Sequence, residues 1–489
     1  MSFHNPILAL PPELSLHIFS ICCQDGVILQ VGHSFFSIQL SSRIPIPLVL
    51  SAVCSQWRQL ATFSPQLWSQ LRFEIGQKSG IKEDDEKESQ SYYQITKYLL
   101  QRASGAPLTL FFYDMPVAGI PVDYVAINLA MDALCRRGKQ WATVEFGVDE
   151  SFFTRHDTSL QLLRGNLDNL STFVLSTSSM NSPSIEAYLL NFRTCPSLRR
   201  VDLNWSQSAH LEVSNIKTLL PWGQLESLFL DLQFHAPSLF EIIPLCPSLK
   251  RLAIATYLPD QNAEKQYLKH PMSWNLQSLS VEIDFVGHTD SIRDFWENLT
   301  APQLTSLDLC TAWFGPTNPF SKEREPHLLR FIRGSSSTLT NLSLRQTGFS
   351  SEQAVQMLQL LPNLTSLHII ERGAPDNTIC RSHLFSHLLV DPPSAAYSPP
   401  FLPRLKNFKI VVNGEKLDHE VLVEAIRSRW IPDPEICVKM GVDSLQSVEV
   451  MFADKPWSVP ESLLRLKELK REGLWVEDFR YEPSPECFL

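Results

Sequence analysis

One short apolar pattern recurs ten times in this 489-residue chain and limits its possible folds more than any other feature. The pattern is apolar-x-x-apolar-x-apolar, and its copies begin at Leu170, Leu198, Leu225, Leu249, Leu276, Leu304, Leu339, Leu364, Leu405 and Leu445. The first six copies begin 24 to 28 residues apart. Three of the four later spacings are 35 to 41 residues, which predicts inserted loops such as the proline-rich segment 391–403.

Each copy predicts one short strand with a single buried face. The second and third apolar positions alternate with polar ones, which is the periodicity of a strand. Segments between copies, such as 184–192 and 352–361, have helical spacing and would cover the buried face. A period of about 20–29 residues is typical of leucine-rich repeats. Since no repeat can bury its strand alone, we expect an α/β solenoid over residues 106–489, with parallel strands on its concave face.

The array has predicted limits at both ends. Leu108–Phe112 and Trp141–Phe146 are irregular earlier copies, and Ser458 with Glu461 has the spacing of a capping box that opens a C-terminal capping helix at about 459–472. Residues 76–105 are predicted to be an acidic linker and a connecting helix. The first part, 78–91, has almost no apolar residues and is typical of a solvated loop.

The N-terminal 75 residues carry more apolar surface than a small helical unit can bury. Helical spacing covers 10–23 and 47–62, a last apolar turn lies at 66–71, and 26–45 is predicted to be an inserted loop. The first helix has two apolar stripes, Leu14, Ile18 and Ile21 on one side and Leu16, Phe19 and Cys23 on the other. The excess must be covered by the rest of the chain, as an N-terminal cap, or by a second protein.

The same residues stand in the order of a known motif. Leu10-Pro11-Pro12-Glu13-Leu14, Ile18-Phe19, Val53-Cys54, Trp57-Arg58 and Leu67-Trp68 resemble the F-box signature. The stretch 99–110 is similar to the segment on the C-terminal side of that motif in many fungal F-box proteins. Two departures are the long segment between the first two helices and Ser55, which stands where a basic residue is common.

The resemblance implies a helical F-box in residues 1–75 that docks onto the Skp adaptor of a Skp–cullin–F-box ligase, a cullin-RING ubiquitin ligase. By motif position the contact and its immediate support would come from Leu10, Pro11, Leu14, Ile18, Phe19, Val53, Cys54, Trp57 and Leu60. Which apolar stripe faces the adaptor stays open.

An unknown protein substrate would bind the outward positions of the strands. These positions are Arg200, Asp202, Phe229, Asp231, Arg251, Asp308, Asn341, Arg345, His368, Lys409 and Glu449. Their mixed charges suit a protein and lack the basic, aromatic stripe of a nucleic-acid groove. The net charge of −10 likewise argues against nucleic acid as a partner.

No pattern of catalytic, cofactor or metal-binding residues stands out. His383 and His387 are four residues apart but lack a third ligand and the glutamate of a zinc-protease motif. The scattered cysteines, the absence of a signal-peptide pattern and the lack of a long apolar run favour a cytoplasmic or nuclear protein with reduced thiols and no membrane partner. We therefore expect a non-enzymatic substrate-recognition subunit. The alternative is an F-box and repeat scaffold that binds partners without promoting ubiquitination.

Overall fold

A computed structural model describes most of the chain, in two compact units. The described residues are 10–31, 44–76, 85–114, 122, 124–177, 182–205, 217–232, 242–255, 272–283, 295–311, 325–371, 378–390, 400–453, 461–477 and 480–481. The first unit comprises residues 1–233 and 241–246, and the second comprises 234–240 and 247–489.

In the first unit the described residues form one set of strands and one set of helices. The strands are β1 (Val27–Val31), β2 (Gln70–Ile75), β3 (Leu108–Asp114), β4 (Trp141–Gly147), β5 (Thr172–Thr177), β6 (Arg200–Trp205) and β7 (Ser227–Leu232). The helices are α1 (Pro12–Cys22), α2 (Ile46–Val53), α3 (Ser55–Thr62), α4 (Asp85–Ala103), α5 (Asn128–Cys135), α6 (Glu150–Gln161) and α7 (Ser182–Leu189). Single 3-10 turns lie at Pro65–Trp68, Val125–Ile127, Gly138–Gln140, Leu190–Phe192, Trp222–Gln224 and Ile243–Leu245.

The seven strands that the structure describes in the first unit pair in parallel and in sequence order. The register aligns the apolar positions of neighbouring strands, so that buried side chains form continuous rows across the sheet. In one row the rings of Phe73, Phe112 and Phe146 stack with centroids 5.1 Å apart at each step. Phe112 therefore packs between the equivalent rings of its two neighbouring strands. No strand can bury its apolar side chains without such neighbours, so the strands must stack to be stable.

Two strands occupy parts of the N-terminal segment that were predicted otherwise. β1 lies within the predicted inserted loop 26–45, of which 32–43 falls outside the described residues, and β2 lies inside the segment predicted to be a helical F-box. The residue pattern of each segment explains why it forms a strand. In β2 the buried side chains Leu71, Phe73 and Ile75 alternate with polar ones, and β1 is rich in β-branched residues. The parallel sheet therefore begins before residue 75.

The predicted connecting helix of residues 76–105 is present and is longer than expected. Helix α4 begins at Asp85, inside the predicted solvated loop 78–91, and runs to Ala103. Its last two turns bury Leu99, Leu100 and Ala103. Residues 77–84 lie outside the described part.

The second unit has the same organisation. Its strands are β8 (Arg251–Ala255), β9 (Met272–Ser273), β10 (Ser278–Ile283), β11 (Leu299–Thr300), β12 (Ser306–Thr311), β13 (Asn341–Arg345), β14 (Ser366–Ile370), β15 (Asn407–Val412), β16 (Ser447–Phe452), β17 (Trp475–Val476) and β18 (Arg480–Tyr481). Its helices are α8 (Glu325–Ser335), α9 (Ser351–Leu358), α10 (Ser382–Leu388), α11 (His419–Arg429), α12 (Pro434–Met440), α13 (Glu461–Leu464) and α14 (Leu466–Arg471), with a 3-10 turn at Gly414–Lys416.

The main strands of the second unit also pair in parallel, in the order β8, β10, β12, β13, β14, β15 and β16. Every one of the ten predicted repeat strands is present across the two units, and both irregular earlier copies are strands β3 and β4. The α/β class with parallel strands is thereby confirmed. The predicted capping helix at 459–472 is two short helices, α13 and α14, and Ser458 lies outside the described residues.

Candidate protein-binding surfaces

Helices α1 and α2 expose apolar side chains that a folded unit would normally bury. Leu14 and Ile18 on α1 are 52% and 43% exposed, and Ile21 continues the same stripe at helical spacing. On α2, Val49 and Val53 are exposed in the same way, Val53 by 57%. Such apolar stripes on the surface of a small helical unit are typical of a protein-binding site.

The opposite side of these helices forms the unit's own core. Phe19 is 1% exposed and its ring meets that of Trp57 edge-on, with centroids 4.8 Å apart. The indole of buried Trp68 donates a hydrogen bond of 2.7 Å to the carbonyl of Ala61. Cys54 caps α3, because its sulfur accepts the backbone N–H of Trp57 at 3.4 Å. The stripe of Leu14, Ile18 and Ile21 therefore faces outward, and the stripe with Phe19 faces inward.

The predicted adaptor-binding residues divide into three groups by exposure. Pro11, Leu14, Ile18 and Val53 are exposed, Leu10, Cys54, Trp57 and Leu60 are half-buried, and Phe19 is buried. Phe19 accordingly supports the helices from within and presents no surface for direct contact.

The outward face of the first unit carries an aromatic cluster whose residues were not predicted from the sequence. The guanidinium of Arg72 on β2 lies 5.2 Å from the ring centroids of both Phe111 and Tyr113 on β3. These two rings stack with centroids 6.2 Å apart. The Tyr113 hydroxyl donates a hydrogen bond of 2.7 Å to Glu145 on β4. Burial first, and then this hydrogen bond, raise the pKa of Tyr113, so that its hydroxyl stays a donor.

Gly147 on β4 makes room for this cluster. A Cβ atom at this position would lie 2.6 Å from a ring carbon of Tyr113, closer than any real contact allows. The absence of a Cβ atom at Gly147 therefore lets the Tyr113 ring approach the neighbouring strand this closely. The strand alternation over 108–114 could have placed Phe111 and Tyr113 on the outward face, but Arg72 stood in a segment predicted to be helical.

Several predicted substrate residues pair with one another. In the first unit Arg200 donates to Asp202 on the same strand, with a shortest N–O distance of 2.5 Å. Phe229 and Asp231 are half-buried on β7. Next to this face, the carboxylate of Asp114 accepts the hydroxyl of Tyr124 at 2.7 Å, and burial raises the pKa of Asp114 to about 6.

In the second unit the charged residues form a network across the strands. Arg345 donates two hydrogen bonds to Asp308, at 3.0 and 2.6 Å, and Lys409 lies 2.9 Å from Glu449. Burial alone would raise the pKa of Asp308, but the hydrogen bonds and charge of Arg345 outweigh it and hold that pKa below its usual value. Burial, and then the charge of Lys409, lower the pKa of His368 to about 4. Arg251 and Asn341 are exposed.

The described residues contain no metal-binding cluster of side chains. No group of three or more His, Cys, Asp or Glu side chains among them could hold a metal ion. His383 and His387 lie close on α10, but a ring nitrogen of His387 already contacts the carbonyl of His383 at 2.9 Å. The nine described cysteines are free, and burial raises the pKa of Cys195, Cys246 and Cys310 to about 12. No helix in the described ranges has the length and apolarity needed to cross a bilayer.

Comparison with known proteins adds no family assignment. No protein-family model matches the chain, and no curated protein shows significant similarity to it.

Proposed function

We propose that this chain is the substrate-recognition subunit of a Skp–cullin–F-box ubiquitin ligase. In this proposal the N-terminal helices bind the Skp adaptor, and a leucine-rich-repeat solenoid formed by the parallel strands and their covering helices binds a protein substrate. The chemistry of ubiquitin transfer would reside in other subunits.

One observation supports the proposal most: the exposed stripe of Leu14, Ile18 and Ile21, together with Val49 and Val53 on the next helix. Phe19 and Trp57 hold these helices together from the inner side, so the exposed residues are free of any role in that core. Apolar anchors of this kind dominate the affinity of modest interfaces. Leu14, Ile18 and Val53 are also among the residues that carry the resemblance to an F-box.

The test replaces exposed anchors and leaves the core untouched. Ile18→Ser with Val53→Ser should abolish capture of the Skp adaptor, because each anchor contributes about 2 kcal/mol or more and their loss weakens binding by three orders of magnitude. Since both side chains are exposed, the thermal stability of the protein should barely change. The measurement is co-purification of the adaptor, with circular dichroism as the folding control.

A matched control is available in the same protein. Ile95 on α4 is 43% exposed, the same fraction as Ile18, and Val438 on α12 is 82% exposed. Ile95→Ser with Val438→Ser should leave adaptor capture intact. Failure of the parent protein to retain the adaptor, or equal retention by the two double variants, would show that the N-terminal helices serve another purpose.

Ubiquitination distinguishes the ligase from the scaffold alternative. An assembled complex of this chain, the adaptor, cullin and RING subunits should transfer ubiquitin to proteins that co-purify with the chain. Adaptor capture without such transfer would favour the scaffold.

A further inference from the structure

We propose that the outward face of the first unit binds an extended protein segment rich in lysine and arginine, with Phe111, Tyr113 and Glu145 as its main anchors. This inference rests on the proposed function, since it names the class of substrate that the repeat strands would take. It concerns strands β2 to β7 alone.

The outward faces of the two units differ in net charge. The outward positions of β2 to β7 carry two arginines and four carboxylates, a net charge of −2; these residues are Arg72, Arg200, Glu74, Glu145, Asp202 and Asp231. The outward positions of β8 to β16 carry three cationic and three acidic residues, a net charge of zero; these are Arg251, Arg345, Lys409, Glu282, Asp308 and Glu449. Only the first face is electrostatically complementary to a basic partner.

The charged groups of the second face also satisfy one another. Asp308 accepts two hydrogen bonds from Arg345 and one from Ser280, and Glu449 forms an ion pair with Lys409. A partner would have to break these pairs and desolvate both members. In the first unit Glu145 has a different environment, because its hydrogen-bond donor, the Tyr113 hydroxyl, is neutral. The charge of Glu145 also acts on nearby Arg200, but no ion pair within 4 Å joins the two among the described residues, so the carboxylate of Glu145 can still attract a cation.

Outward-facing aromatic side chains also distinguish the first unit from the second. Phe111, Tyr113 and Phe229 stand at outward positions of β3 and β7, whereas the outward positions of the described strands β8 to β16 carry no Phe, Tyr or Trp. Large, rigid rings provide contact area at a low cost in conformational entropy and are enriched among binding hot spots. The guanidinium of Arg72 already lies over the rings of Phe111 and Tyr113, so the aliphatic stems and charged heads of a partner's lysines and arginines would contact the ring surface that remains.

One row of outward-facing residues, one on each strand from β2 to β7, indicates that the partner binds in an extended form. Arg72, Phe111, Glu145, Val174, Asp202 and Phe229 lie side by side in register, one strand apart, which is about 4.8 Å per step. Apolar and charged residues thus alternate across the sheet. A chain segment crossing the strands meets both kinds in turn, so a mixture of basic and apolar residues fits it best.

The test uses a fluorescein-labelled dodecapeptide of four Lys-Leu-Ser repeats and the full-length protein. Glu145→Gln removes the charge while its amide oxygen can still accept the Tyr113 hydroxyl, and it should weaken binding by about tenfold or more. Phe111→Ala should do the same through lost contact area. The matched change in the other unit, Glu449→Gln, should leave the affinity within about twofold. Melting temperatures verify that each variant is folded.

Three outcomes would overturn the proposal: no binding of the lysine peptide, equal binding of a Glu-Leu-Ser peptide, or equal effects of Glu145→Gln and Glu449→Gln. The peptide assay needs no adaptor, so its failure leaves the adaptor test unaffected. Conversely, Ile18→Ser with Val53→Ser should bind the peptide as the parent does, whatever its effect on adaptor capture.

Discussion

At the scale of single residues, His156 on α6 shows how burial sets a charge state. The side chain is almost fully buried, and its ring meets Phe152 edge-on with centroids 4.7 Å apart. Its Nε2 atom has no hydrogen-bond partner among the described residues. Burial first, and then the charge of Arg155, lower the pKa of His156 to about 4. The imidazole is therefore neutral in the folded protein at neutral pH.

This residue should make the first unit sensitive to acid. Its pKa is about 4 when folded and about 6.5 when unfolded, so the unfolded state gains the proton first as the pH falls. The stability that it contributes is complete above pH 6.5 and declines by about 3 kcal/mol towards pH 4. Denaturant titrations at pH 7 and pH 4.5 should show a smaller loss for His156→Phe than for the parent. Equal losses would mean that His156 does not govern this pH dependence.

At the scale of elements, β1 depends on a close approach to β2. Gly26, directly before β1, has a φ angle of +74°, and a Cβ atom there would lie 2.9 Å from the backbone oxygen of Gln70. The amide of Gln70 in turn donates a hydrogen bond of 2.7 Å to the carbonyl of Gln24. The turn from α1 into β1 is thus held against the first residue of β2.

Gly26→Ala should therefore destabilise the protein more than Gly165→Ala. Both glycines adopt the left-handed backbone conformation, with φ angles of +74° and +71°. This conformation alone costs a non-glycine residue about 1–2 kcal/mol. At Gly165 nothing lies within 4 Å of the added Cβ, whereas at Gly26 the obstacle is backbone. We expect faster amide exchange in 27–31 for Gly26→Ala only. Equal thermal shifts for the two variants would contradict the close approach.

The elements also show what sequence could and could not predict. The ten repeat strands, β5 to β8, β10 and β12 to β16, were predictable because each carries its alternation next to a recurring leucine, whereas the two-residue strands β9, β11, β17 and β18 carry no copy of the repeat. The alternation of β2 is present as well, but it comes directly after helical spacing and overlaps the predicted last helical turn at 66–71. The aromatic cluster of Arg72, Phe111 and Tyr113 depends on the pairing of β2 with β3, and pairing between strands is not encoded in either strand alone. The exposure of Leu14 and Ile18 depends in the same way on where α3 packs.

At the scale of the whole molecule, the N-terminal segment is an integral part of the first unit. If the sheet began at residue 106, removal of residues 1–75 would leave the repeats folded. Instead this deletion removes β1 and β2 and strips β3 of its neighbour, exposing the edge of a strand that carries Leu110 and Phe112. Such an edge invites pairing with other chains.

We expect the fragment 76–489 to aggregate, and the fragment 32–489 to be more soluble because it retains the pairing of β2 with β3. Size-exclusion chromatography and amide exchange in 108–114 measure both effects. A monomeric 76–489 with the protection of the intact protein would show that β2 is dispensable.

The position of β1 in the chain has a consequence during synthesis. Val27 pairs with Leu71, which is made 44 residues later. At about 5–20 residues per second, β1 waits about 2–9 s for its partner. Phe19 likewise waits for Trp57, so α1 emerges with both of its apolar stripes uncovered. A nascent chain of this protein passes through an interval in which its first helix and strand are open to any apolar surface nearby, and the interval ends only when β2 has been translated.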